Sequence, residues 1–115
     1  MSQHVKEISA ADYQREVAQA KGAVVLDFFS TECPPCEALA PKFEALAEQL
    51  AGRASFVKVF RQGNRDLAQR LGVTGSPTLV FYRNGVEVGE RLSGEDIKRT
   101  AVKAQVEALL TAAAA

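Results

Sequence analysis

The sequence predicts an α/β fold: a single domain with a mixed central sheet and helices on both of its faces. Three observations carry this. The runs AVVLDFF (Ala23–Phe29) and ASFVKVF (Ala54–Phe60) have strand length and are nearly all apolar, as strands covered on both faces are. A helical stretch lies between them, so the two strands should pair in parallel. Later, Thr78–Arg83 and residues 86–92 flank Asn84-Gly85, a strong two-residue signal for an antiparallel hairpin.

The elements follow in order. Val5–Ile8 is read as a short strand. Ser9, with Asp12 as a capping-box acid, opens a helix that carries Ala10, Tyr13, Val17 and Ala20 at helical spacing and stops at Gly22. After the first long strand, residues 34–50 place Leu39, Phe43, Leu46 and Leu50 on one helical stripe. Pro41 lies inside this helix and should kink it, because it lacks a backbone donor. Gly52 ends the helix and the second long strand follows. Residues 64–71 form a short helix closed by Gly72. After the hairpin, Ser93 and Asp96 should cap a last helix with the stripe Ile97, Val102, Val106 and Leu109 or Leu110, fraying from Ala112. The expected order is β-α-β-α-β-α-β-β-α.

At 115 residues the chain has the size of one domain and can bury a sizeable core without staples. Lysine plus arginine and aspartate plus glutamate number 14 each, so net charge gives no general pull towards nucleic acid or an anionic membrane. The apolar runs are too short to span a bilayer. The polar start MSQHVKEISA has no apolar core of a secretory signal, so the expected location is cytoplasmic.

Both cysteines of the chain, Cys33 and Cys36, sit just beyond the first long strand, in the motif CPPC. Cys33 falls where the N-cap of the second helix should be, and Cys36 at that helix's third position. Both sulfurs then lie on one side of the first turn, close enough to bridge. The helix dipole and the backbone N–H of Cys36 favour a thiolate at Cys33, whose pKa is expected below the free-thiol value of about 8.5. Thiolate is the attacking species in disulfide exchange. Cys36, one turn in, is more buried. It is the resolving thiol, and it needs a base. Asp27, a carboxylate inside an apolar strand, can be that base if burial raises its pKa towards neutrality. Lys58, on the next buried strand, is its candidate partner.

Other readings compete. Asp27 could be a strand-end residue reaching water, and Lys58 a snorkelling edge lysine. Zinc needs about four ligands, and the chain offers two thiols and His4, a residue expected on the solvated surface; a metal site would need a second chain. A static disulfide closing so small a loop adds little stability.

The residues resemble the thioredoxin family over about 5–110, nearly the whole chain. The matching pieces are LDFF, CPPC, APKFEALAEQL with Pro41, VKV with Lys58, LGVTGSPTLVFYRNG with Pro77, and the last helix. The resemblance implies a thioredoxin fold and dithiol–disulfide exchange, with Cys33 as nucleophile, Cys36 as resolving thiol, and Asp27 as buried acid/base beside Lys58. Pro77 matches the family's cis-proline, and the backbone of Ser76 should pair with an extended substrate segment. The docking surface is then Glu32, Pro34, Pro35, Ser76, Pro77 and Ser93. The implied partners are disulfide-containing proteins and a dithiol donor such as thioredoxin reductase. No bound cofactor is implied, and a monomer is the default.

The departures from the family pattern lie around that surface. Glu32 stands where tryptophan usually precedes the first cysteine, and its charge opposes a thiolate at Cys33. Phe29 takes the position of another common tryptophan. Pro34 replaces the usual glycine; a residue before proline is biased away from α geometry, so the first turn could be stiff or strained. Phe60-Arg61-Gln62 stands where an acidic residue is more common. These changes motivate two alternatives to a general reductant: a specialised donor, oxidant or isomerase for one partner, and a non-catalytic binding module on the same fold.

Overall fold

The computed structural model describes residues 4–114, with side chains up to Thr111. The strands are β1 (Val5–Ile8), β2 (Ala23–Phe29), β3 (Ala54–Phe60), β4 (Thr78–Arg83), β5 (Val86–Glu87) and β6 (Leu92–Ser93). The α-helices are α1 (Pro34–Gln49), α2 (Arg65–Arg70) and α3 (Arg99–Ala114). The sheet runs β1-β3-β2-β4-β5, and β6 pairs with β4. As the pattern requires, β1, β3 and β2 are parallel and β4 is antiparallel to β2.

Strand alternation divides the core. Val25, Phe56, Leu79 and Phe81 point to one face and pack with Leu39, Phe43 and Leu46 of α1 and Val102 and Val106 of α3. Val24, Leu26, Phe28, Val57 and Val80 point to the other, against Val17 and Leu67. Phe43 is the pivot of the first cluster; its ring centroid lies 5.1 Å from that of Phe56, edge to face. The period of two places Asp27 and Lys58, adjacent in the β2–β3 register, on the same face as Val25 and Phe56. Two hydrophilic side chains thus point at α1, at the end of the sheet where α1 begins.

The Asn84-Gly85 turn has positive φ at both residues, 52° and 82°, as a two-residue hairpin turn demands. It is anchored by the Asn84 Oδ1 atom, which accepts from the Gly22 N–H at 2.7 Å. A Cβ at Gly85 would collide with the Ala18 carbonyl oxygen.

Three expectations need correction. The segment between β1 and β2 is not a regular α-helix but a 3-10 turn, Ala10–Asp12, followed by a π-helical turn, Gln14–Ala18. The Ser9–Asp12 capping box is present. However, the Ala10 N–H is tied to Asn64 Oδ1 at 2.8 Å and Tyr13 to Tyr82 by their hydroxyls, so tertiary anchors override the helical period. The second hairpin strand breaks after Glu87, where Gly89 takes φ 72°, and pairing resumes only at Leu92. Ser93 is therefore a strand residue opposite Thr78 and does not cap the last helix. Gly94 and Asp96, with φ of 85° and 65°, turn the chain before α3 begins at Arg99. The helix runs to Ala114, and Ala115 lies outside the described residues.

Candidate active site

Cys33 is the N-cap of α1 and Cys36 its third residue. The Cys36 N–H points at Cys33 Sγ, 3.3 Å away, meeting one of the donors that a helix start leaves unpaired. Pro34 and Pro35 occupy the first two helical positions, where no intrahelical N–H is required. Pro34 accepts helical geometry despite the proline that follows it. The two cysteines form a disulfide across a Cα–Cα distance of 5.2 Å. Cys36 is buried at 8% exposure and Cys33 only half-buried, so one sulfur faces the protein and the other its surface. Glu32 is exposed and sits in the left-handed region at φ 52°, an uncommon place for a glutamate.

Because β4 runs antiparallel to β2, its start lies at the end of the sheet where β2 finishes. This brings Ser76-Pro77, joined by a cis peptide bond, to the disulfide. Cys33 Sγ lies 3.7 Å from the Ser76 carbonyl oxygen. Ser93 reaches the same end through its pairing with Thr78, and the Gly94 N–H donates to the Pro77 carbonyl at 3.1 Å. Of the expected docking residues, Pro34, Pro35, Ser76 and Pro77 thus lie beside Cys33, and Ser93 is at the same end of the sheet.

Asp27 shares a cavity with Cys36. It is 6% exposed, and Oδ1 has no hydrogen-bond partner. Burial raises its pKa from 3.8 to about 7, and the positive charge of Lys58 opposes that rise. Lys58 is thus the charged neighbour of Asp27; its ammonium also lies 5.2 Å from the centre of the Phe29 ring, a cation–π contact. Asp27, Lys58 and Cys36 line a common cavity of about 150 Å³, together with Glu37 and Glu44 of α1. The cavity is roomy and polar enough to take water, which would let a proton pass between Cys36 and Asp27 without direct contact.

Sequence reasoning missed one polar network. The Arg61 Nε–H donates to Ser76 Oγ at 2.8 Å, and Ser76 Oγ also shares a hydrogen bond with Ser30 Oγ. Beside it, Gln62 Oε1 accepts from the Thr31 N–H at 2.9 Å. The only sequence signal was the departure at Phe60-Arg61-Gln62. Which loops these side chains join depends on the sheet order. Among the described residues, no group of three or more histidine, cysteine, aspartate or glutamate side chains is placed to hold a metal ion.

The chain is similar to known proteins over most of its length. The family model described as thioredoxin matches residues 4–108. A thioredoxin from Peptoclostridium acidaminophilum is 36% identical over 106 residues, 92% of this chain and 96% of that protein. Protein disulfide-isomerase A3 of Gallus gallus is 40% identical over 85 residues, 74% of this chain, which spans only 17% of that longer protein. Among solved structures, a mutant thioredoxin from Halobacterium salinarum superposes with a TM-score of 0.82 at 31% identity, covering 93% of this chain and 91% of its own.

Proposed function

The chain belongs to the thioredoxin family and is a thiol–disulfide oxidoreductase, and from that premise we propose that it works as a reductant of protein disulfides. The observation that carries this is the division of labour between the sulfurs: Cys33 half-exposed at a helix start, Cys36 buried above the cavity of Asp27. In the dithiol form, the Cys33 thiolate attacks a substrate disulfide. A mixed disulfide forms and one substrate thiolate leaves. Cys36 then gives its proton to the Asp27 carboxylate through the cavity and attacks Cys33 Sγ. The second substrate thiolate leaves and takes up a proton. Two electrons have passed to the substrate, and the protein ends as the Cys33–Cys36 disulfide.

In this reading Lys58 limits the rise of the Asp27 pKa, and the Ser76 carbonyl beside Cys33 lines up an extended substrate segment. The protein is cytoplasmic and monomeric, uses no bound cofactor, and is recycled by a dithiol donor such as thioredoxin reductase. Among the described residues no helix is long and apolar enough to cross a membrane.

The match to a disulfide isomerase and the presence of Glu32 and Pro34 favour a second reading, an isomerase or oxidant. Equilibration of the Cys33–Cys36 pair in defined thiol buffers separates the two. A reduction potential near roughly −270 mV is expected for the reductant; a value of roughly −180 to −120 mV would replace it with the second reading.

A further inference from the structure

Arg61 occupies an unusual place for a cation beside a disulfide. It follows β3 directly, and its side chain is half-buried. One of its donors, Nε, is committed to Ser76 Oγ, and Ser76 carries the carbonyl that lies against Cys33 Sγ. The two Nη groups make no hydrogen bond or ion pair among the described residues. The guanidinium is thus fixed at its base and has donors to spare at its tip, which is how arginine recognises a carboxylate.

The tip borders a groove of about 340 Å³ that runs from Arg61 along α2. Its lining contains a second cation, Arg65, and the polar side chains of Gln62, Gln69 and Thr74, but no carboxylate. Gln62 also holds the Thr31 N–H, so the groove abuts the loop leading into Cys33 as well as the loop carrying Ser76. A peptide segment laid along Ser76 would extend past the Arg61 side chain. The charge of the groove selects what that segment carries.

We infer that Arg61, with Arg65, is a specificity-determining residue that binds an aspartate or glutamate close to the reactive cysteine of the substrate protein. The inference rests on the reading of the chain as a disulfide reductant. Arg61 touches substrate and not the reacting sulfurs, so it sets which disulfides are reduced quickly. An acidic neighbour accelerates the reaction and a basic one slows it, and both effects weaken as salt rises.

The test uses the full chain, reduced with dithiothreitol and freed of it, and a matched pair of synthetic peptide disulfides. One peptide carries glutamates next to its cysteine and the other carries glutamines. The readout is the ratio of second-order rate constants, acidic over neutral, at low and high ionic strength. For the unmodified protein the ratio is expected to be about fivefold at low salt, falling towards unity at high salt. In Arg61→Gln it should fall towards unity at both. The ratio cancels any change in loop geometry that slows both peptides alike. A ratio near one in the unmodified protein, or a preference that survives both Arg61→Gln and the double variant with Arg65→Gln, overturns the assignment of the groove while leaving the reductase reading intact. Failure to reduce either peptide overturns the reductase reading and this inference with it.

Discussion

Replacing Asp27 by asparagine removes a buried ionisable group while nearly preserving its shape. The carboxyl has a pKa of about 7 in the fold against an ordinary value of 3.8. An acid whose pKa rises on folding holds its proton more tightly in the native state. Its native form is therefore favoured below the unfolded value and increasingly penalised as pH climbs from about 4 to about 7, the penalty being complete above that. At 1.36 kcal/mol per unit, the shift corresponds to a penalty on the order of 4 kcal/mol at alkaline pH. Asparagine avoids this, but it brings amide donors into a site where Asp27 Oδ1 already has no partner, at about 1–3 kcal/mol. Asp27→Asn should thus be less stable than the natural chain near pH 4 and more stable by about 1–3 kcal/mol near pH 9. Denaturant unfolding of the disulfide form at both pH values measures the difference. The kinetic counterpart is release of a mixed disulfide by Cys36. In the natural chain its rate should rise as Asp27 loses its proton near pH 7; in the variant that rise should be absent. A stability difference that stays constant from about pH 4 to about pH 9 would falsify the buried-acid argument.

The remaining predictions concern the roles of the sulfurs and the hairpin. Cys36→Ser should accumulate covalent partners through Cys33, whereas Cys33→Ser should not; equal trapping by both, read on non-reducing gels, would reverse or erase the division of labour. Gly85→Ala should destabilise the chain by more than about 2 kcal/mol, since φ is 82° and the new methyl group meets the Ala18 carbonyl. That is a fall in Tm of at least roughly 8 °C for a domain of this size. An unchanged Tm would mean that the turn is not packed as described.

What could be read before the structure was what local chemistry determines. The limits of β2 and β3 and the seat of Cys33 at a helix N-cap follow from short-range periodicity and capping. The failures occurred where distant segments decide. The turn after β1 gave up its helical period to anchors on Asn64 and Tyr82. Ser93 looked like a cap, but the edge of β4 recruited it as a strand residue. The Arg61–Ser76–Ser30 network joins three loops whose meeting depends on sheet order. A spacing along the chain carries no trace of it.

The disulfide closes over a sequence separation of only three, so its formation requires almost nothing of the rest of the molecule. Ser76, by contrast, reaches Cys33 across 43 residues of sequence, through the pairing of β4 with β2. The closeness of the two sulfurs is a local property of the chain, and the seat for a substrate is a tertiary one. The bond itself is thus drawn from one turn of helix, whereas the surface that meets a substrate is drawn from segments far apart in the chain.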